Sequence, residues 1–172
     1  MQPLSGQPLI LSALNSAREA TGNIVTLILD QEYELLLDDI DSKVNIVFQP
    51  EQHNFIQALV QSENKLRESA DHLLVIRADM PLLTESTLED LITVHLAPDS
   101  SSNFEPVMTV ASLNTPGSQK QNRIIRGEDG RITAIMVQER ATENLQTEAE
   151  YDAGIYCLAA DWLWETISHL PD

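Results

Sequence analysis

HLLVIRADMPLLTESTLEDLI, residues His72 to Ile92, decides how the chain is read. An apolar run, His72 to Ala78, stops at Asp79, meets Met80-Pro81 and gives way to a helical pattern over Thr84 to Leu96. A short run rich in Leu, Val and Ile is what a strand covered on both faces needs. Pro81 prevents the strand from continuing. In open α/β sheets, ligands bind outside the carboxyl ends of the strands. Asp79 stands at such an end, and a hard carboxylate there suits Mg²⁺. The alternative is that Asp79 only caps a turn. Arg77 shares a face with Asp79 if the strand runs through both. It then either pairs with Asp79, occupying the carboxylate, or marks an exposed face.

Working towards the N-terminus, the same alternation repeats. Gln7 to Thr21 has helical spacing, with Ile10, Ala13, Leu14 and Ala17 on one face, and Gly22-Asn23 ends it. Asn23 to Leu29 and Val44 to Gln49 read as buried strands around a short acidic helix, Gln31 to Asp41. Gln52 to Ala70 reads as a helix with Ile56, Leu59, Val60 and Leu66 inward. In the helix after Asp79, Leu88, Leu91, Ile92 and His95 share a face, and Ser86 with Glu89 offers a capping box. Short strands alternating with helices imply parallel pairing and right-handed crossovers.

Beyond the loop Pro98 to Pro106 the pattern changes. Val107 to Leu113 is a strand, and Arg123–Arg126 and Arg131–Gln138 flank a hairpin turn at Glu128-Asp129-Gly130. Gly154 to Leu158 is a strand, and Asp161 is placed to cap a final helix, Trp162 to Leu170. The fold class is therefore α/β: a three-layer α/β/α, mainly parallel, Rossmann-like sheet with an added β-hairpin section.

Composition limits the function. The 172 residues are 42% hydrophobic, enough for one domain with an aliphatic core. There are 27 acidic against 10 basic residues, a formal charge of −17. Lys120, Arg123, Arg126 and Arg131 make no basic patch, so nucleic acid is not an expected partner. No stretch approaches the ~20 apolar residues of a membrane span. The segment MQPLSGQPLI has no basic stretch before an apolar one, and the single cysteine, Cys157, offers no disulfide framework. A cytoplasmic protein is expected. His53, His72, His95 and His169 lack metal-ligand spacing, and Cys157 reads as a small core residue.

Five segments carry a family resemblance, in order along nearly the whole chain: SGQPLI (Ser5 to Ile10), FQPEQ (Phe48 to Gln52), RADMPLL (Arg77 to Leu83), NRIIRGEDGRITAI (Asn122 to Ile135) and ERATENLQTEAEYDAGIYCL (Glu139 to Leu158). They resemble segments of the bacterial N-acetylglucosamine-1-phosphate uridylyltransferases, the pyrophosphorylase domain of the bifunctional uridylyltransferase/acetyltransferase. That domain is a sugar nucleotidyltransferase of glycosyltransferase-A-like fold. The resemblance implies attack of N-acetylglucosamine 1-phosphate on the α-phosphorus of UTP, giving UDP-N-acetylglucosamine and pyrophosphate. It implies Mg²⁺ as cofactor, held by Asp79 as metal ligand and catalytic residue. Gln49 and Gln52 would lie on the uracil side. Asn122, Glu139, Asp152 and Gly154 would lie along the sugar.

Relative to the family pattern, residues 1–172 form a single nucleotidyltransferase-like domain truncated at both ends. The Gly-rich phosphate loop with its Pro-Lys pair, and the second metal-site residue, have no counterpart. Asn54 to Ala58 replaces the family's Gly-Thr-Gly-His-Ala, and Val137 stands where a Glu is expected. An alternative function follows: a non-catalytic relative or fragment acting as a nucleotide-sugar-binding or interaction domain. In the family fold a strand lies between those matching Asn23–Leu29 and His72–Ala78. Without it, those two strands either pair directly or leave two edges open, and open edges make a homo-oligomer a further expectation.

Overall fold

The computed structural model describes residues 3–4, 7–22, 24–49, 55–97, 105–114, 122–136 and 150–169. Two short antiparallel segments, β1 (Pro3–Leu4) and β2 (Gln7–Pro8), lead into α1 (Leu9–Thr21). Gly22, at φ 75°, caps α1 in the left-handed conformation, as the Gly-Asn pair predicted. β3 (Thr26–Asp30) leads to a 3₁₀ helix, Gln31–Asp39, then β4 (Asn45–Gln49), α2 (Phe55–Leu66) and β5 (His72–Ile76). α3 (Glu85–Leu96) and β6 (Met108–Asn114) follow, then the hairpin of β7 (Arg123–Arg126) and β8 (Ile132–Met136). β9 (Glu150–Ala159) and α4 (Ala160–Ile167) complete the order.

The strands form a parallel pair, β3 with β4, and a five-stranded sheet built around β9, to which β5, β6 and β7 pair antiparallel. Side chains alternate across β5 and β9, as strand geometry requires. Leu73 and Leu158 join Leu59, Leu163 and Trp164 in one core. Ile155 and Cys157 join Ala17, Leu88 and Leu91 in the other, with Leu74 and Ile76 packed against it. Thus α2 and α4 cover one face, and α1 and α3 the other. The three expected layers are present, and Cys157 is the small core residue it was read as.

Several expected details differ. β9 begins at Glu150, four residues before Gly154, because its early residues find partners in β6 from Ser112 to Asn114. Thr84, not Ser86, caps α3, its side-chain oxygen accepting from the Thr87 backbone N–H. Asp161 lies inside the first turn of α4, whose N-cap is Ala159. Along α2, Ile56 and Val60 are exposed, while Leu59 and Ser62 face the core. The Ser62 hydroxyl is accommodated there by donating to the Leu59 carbonyl at 2.8 Å. No helix among the described residues is long and apolar enough to cross a membrane.

Candidate functional site

β5 ends at Ile76, so Arg77 and Asp79 lie in the turn beyond it. That turn is tied down from α1. Ser12 donates to the Pro81 carbonyl at 2.9 Å and Ser16 to the Leu83 carbonyl at 2.7 Å. The Leu83 N–H closes the turn onto the Met80 carbonyl at 3.2 Å. The turn that carries the Asp79 carboxylate is therefore held by two serine hydroxyls of α1.

Across from it, β9 carries extra residues. Val110 pairs with Tyr156 and Ser112 with Asp152, so two steps on β6 face four on β9. Gly154 takes up the surplus at φ 74°, a conformation that side chains disfavour. The β5–β9 register ends at Ile76 opposite Ile155, which sets Arg77 beside Gly154. An added Cβ on Gly154 would fall 2.8 Å from Cδ of Arg77.

Arg77 grips Asp79 with both arms of its fork: Nε donates to Oδ1 at 3.0 Å and Nη2 to Oδ2 at 2.7 Å. The hydrogen bond from Arg77 holds the Asp79 carboxyl below its ordinary range, against a smaller opposing effect of burial. Asp152, buried at 7% exposure, uses both its oxygens. Oδ1 accepts from the Gly154 N–H at 2.8 Å and Oδ2 from the Tyr156 hydroxyl at 2.5 Å. Burial first, and this bond second, push the Tyr156 phenol well above its usual value. Phe55, at the start of α2, packs its ring 5.4 Å from that of Tyr156.

The structure brings together Asp79, Asp152, Gly154 and Asn122, whose carbonyl accepts from the Asp152 N–H at 2.9 Å. Gln49 stands apart, at the end of β4. In the parallel register it faces Asp30, and its Nε2 donates to Asp30 Oδ1 at 2.5 Å. Its Oε1 is buried with no partner among the described residues. Gln52 and Glu139 lie outside the described residues. Tyr156 was missed from the sequence, because the bulge at Gly154 that turns it towards Asp152 is set by pairing with β6.

The donor set bears on the expected Mg²⁺. Both Asp79 oxygens are engaged by Arg77 and both Asp152 oxygens by neighbours. No group of three or more His, Cys, Asp or Glu placed to hold a metal occurs among the described residues. As arranged, these carboxylates do not fit a bound cation, and the positive charge at this place is the Arg77 guanidinium.

A family model for the MobA-like NTP transferase domain matches residues 1–118. The chain belongs to that family. Among curated members of related enzymes, this NTP transferase domain is 27% identical over 172 residues to the bifunctional protein GlmU of Geobacter sulfurreducens, covering 99% of this chain and 35% of that protein. It is 27% identical over 170 residues to GlmU of Streptococcus agalactiae serotype V, covering 99% of this chain and 36% of that one. The chain thus spans about a third of the length of these relatives. Among solved structures it resembles a CMP:2-keto-3-deoxy-manno-octonic acid synthetase complexed with CTP, with a TM-score of 0.73 at 15% identity, covering 99% of this chain and 70% of that one. HddC from Yersinia pseudotuberculosis, complexed with GMP-PN, gives a TM-score of 0.68 at 13% identity, covering all of this chain and 70% of that one. These likenesses establish the Rossmann-like, glycosyltransferase-A type of fold for the NTP transferase domain.

Proposed function

We propose that this NTP transferase domain handles a nucleoside triphosphate and a sugar phosphate, with UTP and N-acetylglucosamine 1-phosphate as the pair and UDP-N-acetylglucosamine as product. The observation that carries the reading is the meeting of Arg77 and Asp79, beyond β5, with Asp152 and Gly154 of β9. These residues lie far apart in sequence and converge beyond the carboxyl end of β5. In this reading Arg77 Nη1, which has no partner among the described residues, offers its N–H groups to a phosphate. Asp79 holds that guanidinium until the anion arrives. Asp152, kept in place by Tyr156 and Gly154, lies along the sugar hydroxyls. The unpartnered Oε1 of Gln49 accepts from the imide N–H of uracil. The reaction joins a sugar-phosphate oxygen to the α-phosphorus and releases pyrophosphate. The chain's own residues contribute by positioning and by charge.

A second reading, a nucleotide-sugar-binding domain without turnover, is favoured by the closed Arg77–Asp79 pair. Calorimetric titration of UDP-N-acetylglucosamine with Mg²⁺, followed by a pyrophosphate-release assay with UTP and the sugar phosphate, separates the two. Micromolar binding, weakened roughly 10- to 100-fold by Asp152→Ala, together with pyrophosphate release, is the expected result. Binding without release supports the second reading. No heat at millimolar ligand, from folded protein, removes both.

A further inference from the structure

The turn after β5 carries its own positive charge. The stem of Arg77 lies over Gly154, where a Cβ would meet Cδ at 2.8 Å and Cγ at 3.5 Å. From there Nε and Nη2 close on the two Asp79 oxygens. An exposed ion pair is weak when two free side chains must be frozen to make it. Here Ser12 and Ser16 already hold the turn, and Gly154 already seats the stem, so little more is frozen. The negative charge of Asp152 also acts on the guanidinium. A guanidinium keeps its proton and carries five N–H donors. Asp79 takes one on Nε and one on Nη2, and Nη1 has no partner among the described residues. Mg²⁺ binds through carboxylate oxygens and gives up its water reluctantly. To reach Asp79 it would have to displace a two-pronged guanidinium and then lie beside that charge. The other carboxylate brought here, Asp152, has both oxygens taken by the Gly154 N–H and the Tyr156 hydroxyl.

We infer that Arg77 is this chain's resident cation: it keeps divalent metal off Asp79, and the site takes a phosphate-bearing ligand without one. Asp79 is then a positioning residue. It orients the guanidinium and leaves Nη1 for the ligand. A phosphate or pyrophosphate ester accepts N–H groups of a guanidinium well, and it can do so while the Arg77–Asp79 pair stays closed. A divalent cation has to open that pair. The two ligands therefore do not assist each other at this place, unlike a site where the metal bridges a carboxylate and a phosphate. This departs from the metal use that the family resemblance implies, and the residue responsible is Arg77. The ligand half of the inference rests on the nucleotide reading above. The exclusion of metal from Asp79 does not, and it is measured without nucleotide.

The first probe is Mn²⁺ alone, titrated into the full chain while carbon-detected NMR follows the carboxyl signals. Paramagnetic broadening reports each carboxylate separately, so weak binding elsewhere on a chain of charge −17 does not hide Asp79. In the wild type the Asp79 signal should stay sharp at Mn²⁺ concentrations that broaden other exposed carboxylates, although its side chain is 59% exposed. Arg77→Met keeps an unbranched stem over Gly154 and removes the guanidinium. It should bring on Asp79 broadening at a Mn²⁺ concentration at least tenfold lower. Arg77→Lys keeps the charge and loses the fork, and should fall between the two. The second probe is UDP-N-acetylglucosamine, titrated calorimetrically in EDTA and then in millimolar Mg²⁺. The wild-type affinities should agree within about twofold, and Arg77→Met should lose at least tenfold in EDTA. Selective broadening of Asp79 in the wild type at the lowest Mn²⁺ overturns the proposal. So does a wild-type affinity that rises tenfold or more with Mg²⁺. No heat in either buffer removes the nucleotide reading and the ligand half together, and the Mn²⁺ titration still decides whether Arg77 keeps metal off Asp79.

Discussion

Arg77 reaches its place beside β9 because Gly154 has no side chain. Gly154→Ala combines two penalties, a Cβ 2.8 Å from Arg77 Cδ and a φ of 74°. Gly22→Ala, at φ 75° with nothing within 4 Å, carries only the second. Left-handed backbone costs a non-glycine residue about 1–2 kcal/mol. Urea unfolding should therefore show a loss of that size for Gly22→Ala and a larger one for Gly154→Ala. Carbon-detected NMR titration should also show the Asp79 carboxyl of Gly154→Ala moving back up towards its ordinary value as Arg77 is displaced. Equal losses in the two variants would mean that the contact is unimportant. A separate pair, buried His95 with exposed His72, sets a pH dependence. His95, 2% exposed, shares a hydrogen bond of 3.0 Å with His72 and one of 2.9 Å with Thr109. Burial first, and the neighbouring His72 second, hold its pKa below the ordinary 6.5. The unfolded chain then binds more protons than the folded one just below pH 6.5, so stability is full above that pH and falls as acid is added. The melting temperature should drop by a few degrees on acidification through this window. His95→Gln should flatten that slope, whatever it does to the plateau.

At the scale of elements, α3 shows how local chemistry chooses a boundary. Thr84 occupies extended backbone and accepts from the Thr87 N–H, the role of an N-cap. Thr84→Ala should cost about 1 kcal/mol, whereas Ser86→Ala, inside the first turn, should change stability by less than about 0.5 kcal/mol. Thermal denaturation of both variants settles which residue starts the helix. The helix itself was legible, because Leu88, Leu91 and His95 repeat at helical spacing and all three are buried. The stop of α1 at Gly22 was legible for a similar reason: one glycine supplies the conformation that the turn needs. The first residues of β9 were not. Glu150 to Ala153 alternate poorly, and what makes them a strand is non-local pairing with β6. The same limit applies at the site. Strand-end position marked Asp79, and the family resemblance marked Asp152 and Gly154. The Arg77–Asp79 pair was one of two alternatives that strand alternation left open. The Tyr156 bond to Asp152 depends on a bulge whose register only β6 defines.

Across the whole molecule, a cavity between β3 and β5 sets the distribution of stability. The edge of β3 beyond β4 and the edge of β5 beyond β9 have no strand beside them among the described residues, and Leu27, Ile28, Leu74 and Val75 line the cavity between them. The β3–β4 pair is consequently joined to the five-stranded sheet by packing against α1 and α2, with no ladder between the two sheets among the described residues. β9, by contrast, has paired strands on both sides and cores on both faces. Cooperative units follow such boundaries. Native-state hydrogen exchange at increasing denaturant should show the amides of Leu27 to Asp30 opening with a lower free energy and a smaller denaturant dependence than the global transition. The amides of Tyr156 and Cys157 should open only with global unfolding. Merging of all these amides into one isotherm would mean that helix packing alone couples the two sheets as tightly as a ladder would, and that the cavity between them is no weak seam.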